Sequence, residues 1–453
     1  MQQPAASTVS AHLLRAAVGL VLAVVTLPAA GQQPAPVSPT VPPPRTHSTL
    51  TQPTILKQAR PERPKDEVRE LSLGECIAIA VEKQPALRAV RSSQDATAAG
   101  QAALQNIRRV GALLSPDVPI RREQAERGVI AAAADVQQLH NEVVHDVTRL
   151  YYSVVYAKQQ EQLADDIVAQ VKAFVKLAED LLNSATPGDM SQLKLDLMKM
   201  GQSEILGLQA KAQAGVKQAE AALREVMGVQ NCGFQFRVKD SELPLMAQNV
   251  ALTSDQVVDM ALSRRPELAL AAAAADAFRL EVYAQGQLRF RRSVPTLGSA
   301  SDIHSRLLPT GSRDPGKDYR PEPIPPEMPP QVVGSKEDRV ARVLAYSHRA
   351  DAVYEKARNL MILEAENTFI QYEMASRQLT AHKDAFKSAK NAMDRIREQF
   401  DNPKAPKDQM LLGYAQAAKS MAGYVESVFH YLETLAALER VTAGGVRPGF
   451  PGR

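Results

Sequence analysis

Apolar residues recur in steps of seven over two long stretches of the chain. Counting from Val147, the a positions continue through Val154, Glu161, Val168, Val175 and Leu182, with Leu150, Ala157, Ala164, Val171 and Ala178 at d. Such a repeat draws one narrow seam along a helix, and a seam of this kind needs a partner helix. The same rule runs from Ala365 through Tyr372, Leu379, Phe386, Met393 and Phe400, with Thr368, Ala375, His382, Ala389 and Ile396 at d. Of the two polar lapses, Glu161 reads as a side chain leaving the seam's edge for water and His382 as a packed or half-buried histidine. Each seam stops at a turn signal, NSATPGDMSQ (Asn183 to Gln192) and DNPKAPKDQM (Asp401 to Met410). Beyond each turn the helical pattern resumes, through Leu195, Met198, Ile205, Ala212, Val216 and Leu223 in one case and Tyr414, Ala417, Met421, Val428, Tyr431 and Leu438 in the other. The spacing predicts two long helical hairpins. The first ascending helix is expected from about Arg122 to Ser184, roughly 95 Å at about 1.5 Å per residue.

Ahead of each hairpin lies a matching signal. LSLGECIAIAVEKQPAL (Leu71 to Leu87) aligns without a gap on LTSDQVVDMALSRRPEL (Leu252 to Leu268), placing Pro85 on Pro266 at an offset of 181. Each copy reads as an N-cap (Ser72; Thr253 or Ser254), a short amphipathic helix, a break, and a proline in the first turn of a second helix. The fold class expected is therefore mainly α, two tandem repeats of a broken helix plus a long coiled-coil hairpin, with little β. The repeats span 67–230 and 252–444. The connecting segment 231–251 contains CGFQFRVKD, whose alternation suits one small strand beside the helices.

Composition narrows the partners. There is no Trp, and the seams are rich in Ala, which suits long rods packing through small side chains better than one large globular core. A net charge of +4 from 54 basic and 50 acidic residues, mixed along the chain, gives no electrostatic case for nucleic acid. Arg15 precedes the apolar run Ala16 to Gly31, and Ala29 and Gly31 suit a signal-peptidase site, so 1–31 reads as a signal peptide, with an uncleaved anchor as the alternative. Residues 32–66 read as a disordered Pro-rich leader and 445–453 as a disordered tail. Cys76 and Cys232 could bridge in an oxidising compartment or remain two buried thiols.

Two copies of a short helix, QPAL and RPEL, each leading to a long hairpin whose tip reads ATPGD (Ala185 to Asp189) or APKD (Ala405 to Asp408), resemble the TolC-like outer membrane efflux family. The resemblance covers roughly Leu71 to Gly444. It implies a homotrimer in which each chain lends both hairpins to a twelve-helix periplasmic α-barrel. It further implies an outer-membrane location with most of the chain in the periplasm, docking to a periplasmic adaptor, and an inner-membrane pump that drives small molecules or ions through a passive tunnel. By the same resemblance Asp189 and Asp408 line the tunnel aperture, with Lys404 as a latch between neighbouring chains. Ala185, Thr186, Pro187 and Gly188, with Ala405, Pro406 and Lys407, form the adaptor-docking tips. The residues themselves also allow a plainer reading, in which each aspartate caps the first turn of its descending helix.

The sequence departs from that family where membrane strands belong. A strand across the bilayer needs about 9 to 11 alternating residues, and a hairpin needs two; Ile107 to Gln124 leaves room for one short extended piece. In the second half, 103 residues separate Pro266 from Phe369 against 66 between Pro85 and Tyr151, and the excess lies in the Pro-rich insertion 289–335. A rival expectation follows: a non-conducting periplasmic scaffold that has lost the barrel strands. No catalytic or cofactor constellation is evident. His140 and His145 are five apart, and the chain has no phosphate loop, serine elbow or C-x-x-C. Neither an enzyme nor a metal site is expected.

Overall fold

The computed structural model describes residues 68–107, 115–183, 191–230, 235–246, 252–288, 335–399 and 407–453. In chain order its elements are β1 (Arg69–Leu71), α1 (Leu73–Lys83), α2 (Pro85–Gln105), α3 (Val118–Leu182), α4 (Gln192–Val226), β2 (Phe236–Val238), α5 (Ser254–Arg264), α6 (Pro266–Gln287), α7 (Lys336–Gln399) and α8 (Lys407–Val441).

The two short helices begin and end alike. Ser72 Oγ accepts from the Glu75 amide while the Glu75 carboxylate accepts from the Ser72 amide, a closed capping box at α1; Thr253 and Gln256 do the same at α5. Each helix stops at the residue before a proline. Gln84 (ψ 119°) and Arg265 (ψ 125°) are extended, as the proline ring demands of its predecessor, and Pro85 and Pro266 open α2 and α6, where a missing N–H costs nothing.

The descending helices also end alike. After α4, Gly228 adopts φ 69°, its amide donating to Glu225 O and the Val229 amide to Arg224 O, which satisfies the last carbonyls of the helix. After α8 the same two bonds run from Ala443 to Arg440 O and from Gly444 to Glu439 O, but Ala443 sits at φ 46°. A Cβ in the left-handed region costs about 1 kcal/mol. Ala443→Gly is therefore expected to raise stability by about 1 kcal/mol in urea unfolding, giving α8 the same glycine end as α4.

The long helices carry the architecture. At roughly 1.5 Å per residue, the 65-residue α3 and the 64-residue α7 are each close to 100 Å long. Both change partners midway. In one half the packing runs α2, α3, α6, α7; in the other it runs α4, α3, α8, α7. Each half is thus a row of four helices. Neither α4 nor α2 packs extensively against α7 among the described residues, so each row stays open. Between the halves, at the waist, β1 and β2 pair in parallel, Arg69 to Leu71 alongside Phe236 to Val238, while α1 packs on α3 and α5 on α7. The alternation of Phe236 and Val238, both buried, matches the expected strand; its partner β1 had no sequence signal, being three residues long.

The seams are packed as their period requires. Val147, Val154, Val168, Val175, Ala157, Ala164, Val171 and Ala178 are buried, as are Ala365, Tyr372, Leu379, Ala375 and Ala389. Glu161 is partly exposed at the seam's edge. His382 departs from expectation: it is exposed, its ring lying along the bare face of Gly423, where a Cβ would come 3.3 Å from Nδ1. A second correction concerns 445–453, expected as a disordered tail. Val446 and Phe450 are buried in the waist core, Phe450 lies 5.6 Å from Tyr152 centroid to centroid, and Gly452 O accepts from the Gly74 amide at 2.7 Å. The sequence GGVRPGFPGR looked like a tail because its two anchoring side chains are diluted by turn formers. Gly74 must stay bare for this contact, since a Cβ there would fall 2.5 Å from Gly452 O.

Candidate channel wall

The sequence-predicted tip residues divide in two. Ala185, Thr186, Pro187, Gly188 and Asp189, and likewise Lys404, Ala405 and Pro406, lie outside the described residues. Lys407 and Asp408 stand in the first turn of α8, with their side chains outside the described set. The residue that caps α4 is Ser191, whose hydroxyl accepts from the Lys194 amide, so the capping expected of Asp189 falls two residues later. A hydroxyl just before QLKLDL is itself a cap signal, masked in the sequence by the stronger turn string before it. Cys76 is a buried free thiol, its pKa pushed up to about 12 by burial and then by Glu75, while Cys232 lies outside the described residues.

Side chains join the rods into a wall at every level. Near the tips, Ile167, Val171, Phe174 and Val175 of α3 meet Leu195 and Ile205 of α4 and Met410 and Tyr414 of α8. Higher up, Tyr156 of α3 stacks on Phe429 of α8 at 4.7 Å, and α8 meets α7 through Tyr424 on Phe386 (4.7 Å) and Tyr431 on Tyr372 (5.8 Å). These are packing aromatics that bind one helix to the next.

Two buried polar clusters were not anticipated from sequence. The residue before each proline turns inward at the base of its hairpin. Gln84 is buried and donates to Val226 O at 2.9 Å, taking up a carbonyl at the end of α4. Its counterpart Arg265, also buried, pairs with Glu267 and with Glu364 of α7, and Glu364 in turn accepts from Arg440 at the end of α8. Burial pushes the Glu364 carboxyl up, but Arg440 and Arg265 outweigh it and hold it down at about 2. The second cluster, around Arg121 and Glu281, ties α3 to α6. On the surface of α8, hydrogen bonds to Glu426 and then Glu433 raise the half-exposed His430 to about 9.

Among the described residues no group of His, Cys, Asp and Glu is placed to hold a metal ion, and no helix is long and apolar enough to cross a membrane. The wall instead has two free margins. On α7 these carry exposed Leu363, Ile370 (58% exposed) and Met374; on α4 they carry Leu193 (65% exposed), Met200 and Leu206. Leu363 and Ile370 are seven apart, as are Leu193 and Met200, so each margin presents a helical stripe.

An open row of four helices built from two hairpins, pinned at a small waist, is also the architecture of solved bacterial channels. The outer-membrane channel OprN matches with a TM-score of 0.64 at 14% identity, over 90% of this chain and 99% of that one. The fold is TolC-like. CusC, described in connection with transmembrane channel formation, matches with a TM-score of 0.61 at 14% identity over 82% of this chain and 92% of its own. The open state of the Neisseria gonorrhoeae MtrE outer membrane channel gives 0.60 at 14% identity, over 82% and 89%. No family model and no curated protein matches the sequence. The TolC-like fold is thus carried by pattern and packing with little residue identity left.

Proposed function

We propose that three copies of this chain close into a passive tunnel in the cell envelope, working with a periplasmic adaptor and an inner-membrane pump to export small molecules or ions. The observation that carries this reading is the open row of helices with an apolar stripe on each free margin. Four helices in a row leave α7 and α4 without an outer neighbour, and three such rows set edge to edge bury both stripes while leaving a hollow centre. The TolC-like neighbours OprN and MtrE, both described as outer membrane channels, support it. In this reading Asp189, Asp408 and Lys404 surround the aperture, and 185–188 with 405–407 meet the adaptor. The chain performs no chemistry of its own.

The test is assembly. A charge at the margin leaves each protomer folded and opposes ring closure, because an unpaired carboxylate buried in an interface costs several kcal/mol. Ile370→Asp combined with Met374→Asp is expected to convert crosslinkable trimers into monomers with unchanged helical circular dichroism. Trimers that persist in this variant, or a wild-type protein that is monomeric at every concentration, refute the ring. A second reading, a non-conducting periplasmic scaffold, is favoured by one feature: a dozen residues, Asn106 to Asp117, are all that connect α2 to α3.

A further inference from the structure

Both marginal helices carry a second heptad seam, left uncovered among the described residues. On α7 it runs in steps of seven from Leu363 to Asn391 and, four residues on, from Asn367 to Arg395. On α4 it runs from Leu193 to Ala221 and, four residues on, from Leu197 to Glu225. Every one of these positions is exposed or half-buried, although each helix buries its other seam against a neighbour in its own row. A second stripe of this period is what a helix shows when it has a second coiled-coil partner.

Contacts inside the row fix the height of each helix against the next. Gln209 of α4 donates to Asp165 of α3 at 2.6 Å. Asp165 stands between Tyr156, which stacks on Phe429 of α8, and Phe174, which lies 6.3 Å from Tyr414, so its level on α8 is about residue 422. There Gly423 lies against the His382 ring of α7, and Tyr424 stacks on Phe386. Lys211 of α4 and Asp384 of α7 are therefore at one height on opposite margins. A closed ring repeats its subunit by rotation without rise, so the margins meet height for height when the next copy is added. Since α4 runs away from the tips and α7 towards them, the two pair antiparallel, in a register set to within about two turns.

Side chains choose within that range. With Lys211 facing Asp384, Gln218 faces Arg377, Ala221 faces Met374 and Gly207 faces Ser388, which sets an exposed methionine on an alanine and opposite charges on each other. A slip of one heptad in one direction opposes Asp384 to Glu204 and Arg377 to Lys211. A slip in the other gives Arg377 the Glu225 carboxylate, but it leaves Lys211 beside Asn391 and sets Glu398 on Glu204. Like charges on facing positions are how a coiled coil refuses a register. We infer that neighbouring copies join along an antiparallel α7–α4 seam in which Asp384 of one copy meets Lys211 of the next. The seam presupposes the ring proposed above and specifies which faces close it and in what register. Exposed ion pairs of this kind set alignment more than affinity, while Ile370 and Met374 supply apolar burial.

The full-length protein is treated with a water-soluble carbodiimide, which condenses a carboxylate and an amine already in contact into an amide. Trimers held by an Asp384–Lys211 cross-link are expected, located by mass spectrometry of the digest. The two residues stand on opposite margins of one copy, so this peptide reports the seam between copies, and mixing isotope-labelled with unlabelled chains verifies it. Asp384→Lys and Lys211→Asp are each expected to raise the concentration of half-assembly about tenfold, because every seam of the ring exchanges an attractive pair for a repulsive one; the double reversal restores it. Both side chains are exposed, so helical circular dichroism stays unchanged. Trimers that lack this cross-link and are not rescued by the double reversal overturn the seam and leave the ring standing. Chains that stay monomeric at every concentration overturn both.

Discussion

Glu364→Gln is expected to cost about 3–5 kcal/mol of stability, the range for removing one member of a buried ion cluster. The carboxylate is 4% exposed and sits between Arg265 (2%) and Arg440 (8%). Without its charge the two guanidiniums face each other, with Glu267 beside Arg265 and Glu142 acting on Arg440 as the remaining balance. The loss is larger than a surface ion pair could give because burial keeps bulk solvent from re-solvating the orphaned cations. Urea unfolding at pH 7 measures it. The same cluster fixes an acid limb. The folded pKa of Glu364, about 2, lies below its ordinary 4.5, so its contribution is complete above about pH 4.5 and drains away as pH falls towards 2. About 3 kcal/mol is at stake across that window. Glu364→Gln should flatten this part of the stability profile; an unchanged slope between pH 4.5 and 2 refutes the assignment.

Phe450→Ala is expected to lower stability by about 3–5 kcal/mol, as for other large-to-small changes of a buried aromatic. The ring fills the space beside Tyr152 in the waist core, close to where β1 and α1 begin. Removing 446–453 altogether should be worse, since it strips Val446 and Phe450 and also the Gly452 carbonyl that receives the Gly74 amide. Thermal melting of the three proteins ranks them, with the truncation lowest. Amide exchange should accelerate first in 73–83. A truncated chain that melts like the full one would return 445–453 to the status of a tail.

The rods were legible in the sequence because they obey a period: the seams at Val147 and Ala365 and the N-caps at Ser72 and Thr253 are local or repetitive signals, and each reappears in the described structure. The architecture followed from the same signals. What escaped was non-local. Arg265 was visible as part of SRRPEL, but its partners lie on α7 and α8, and no spacing in the sequence links 265, 364 and 440. The second cluster is hidden for the same reason, as Arg121 and Glu281 stand on separate helices amid many other charges. Phe450 was missed because turn formers surround it, and β1 because a three-residue strand exists only by virtue of its neighbour. The tip residues named from the resemblance, Asp189 and Asp408 foremost, await the assembly experiment.

The waist has a practical corollary for protein engineering. The backbone at Gly452 lies against Ser72 and Leu73, so Arg453 is a near neighbour of the junction between β1 and α1, a few residues from Val68. A circular permutant that splices Arg453 to Val68 through a short linker, with new ends cut between α6 and α7, should preserve every helix contact of the protomer. It would move both extremities of the polypeptide to the end of the wall remote from the tips, where reporter fusions hang clear of the shaft.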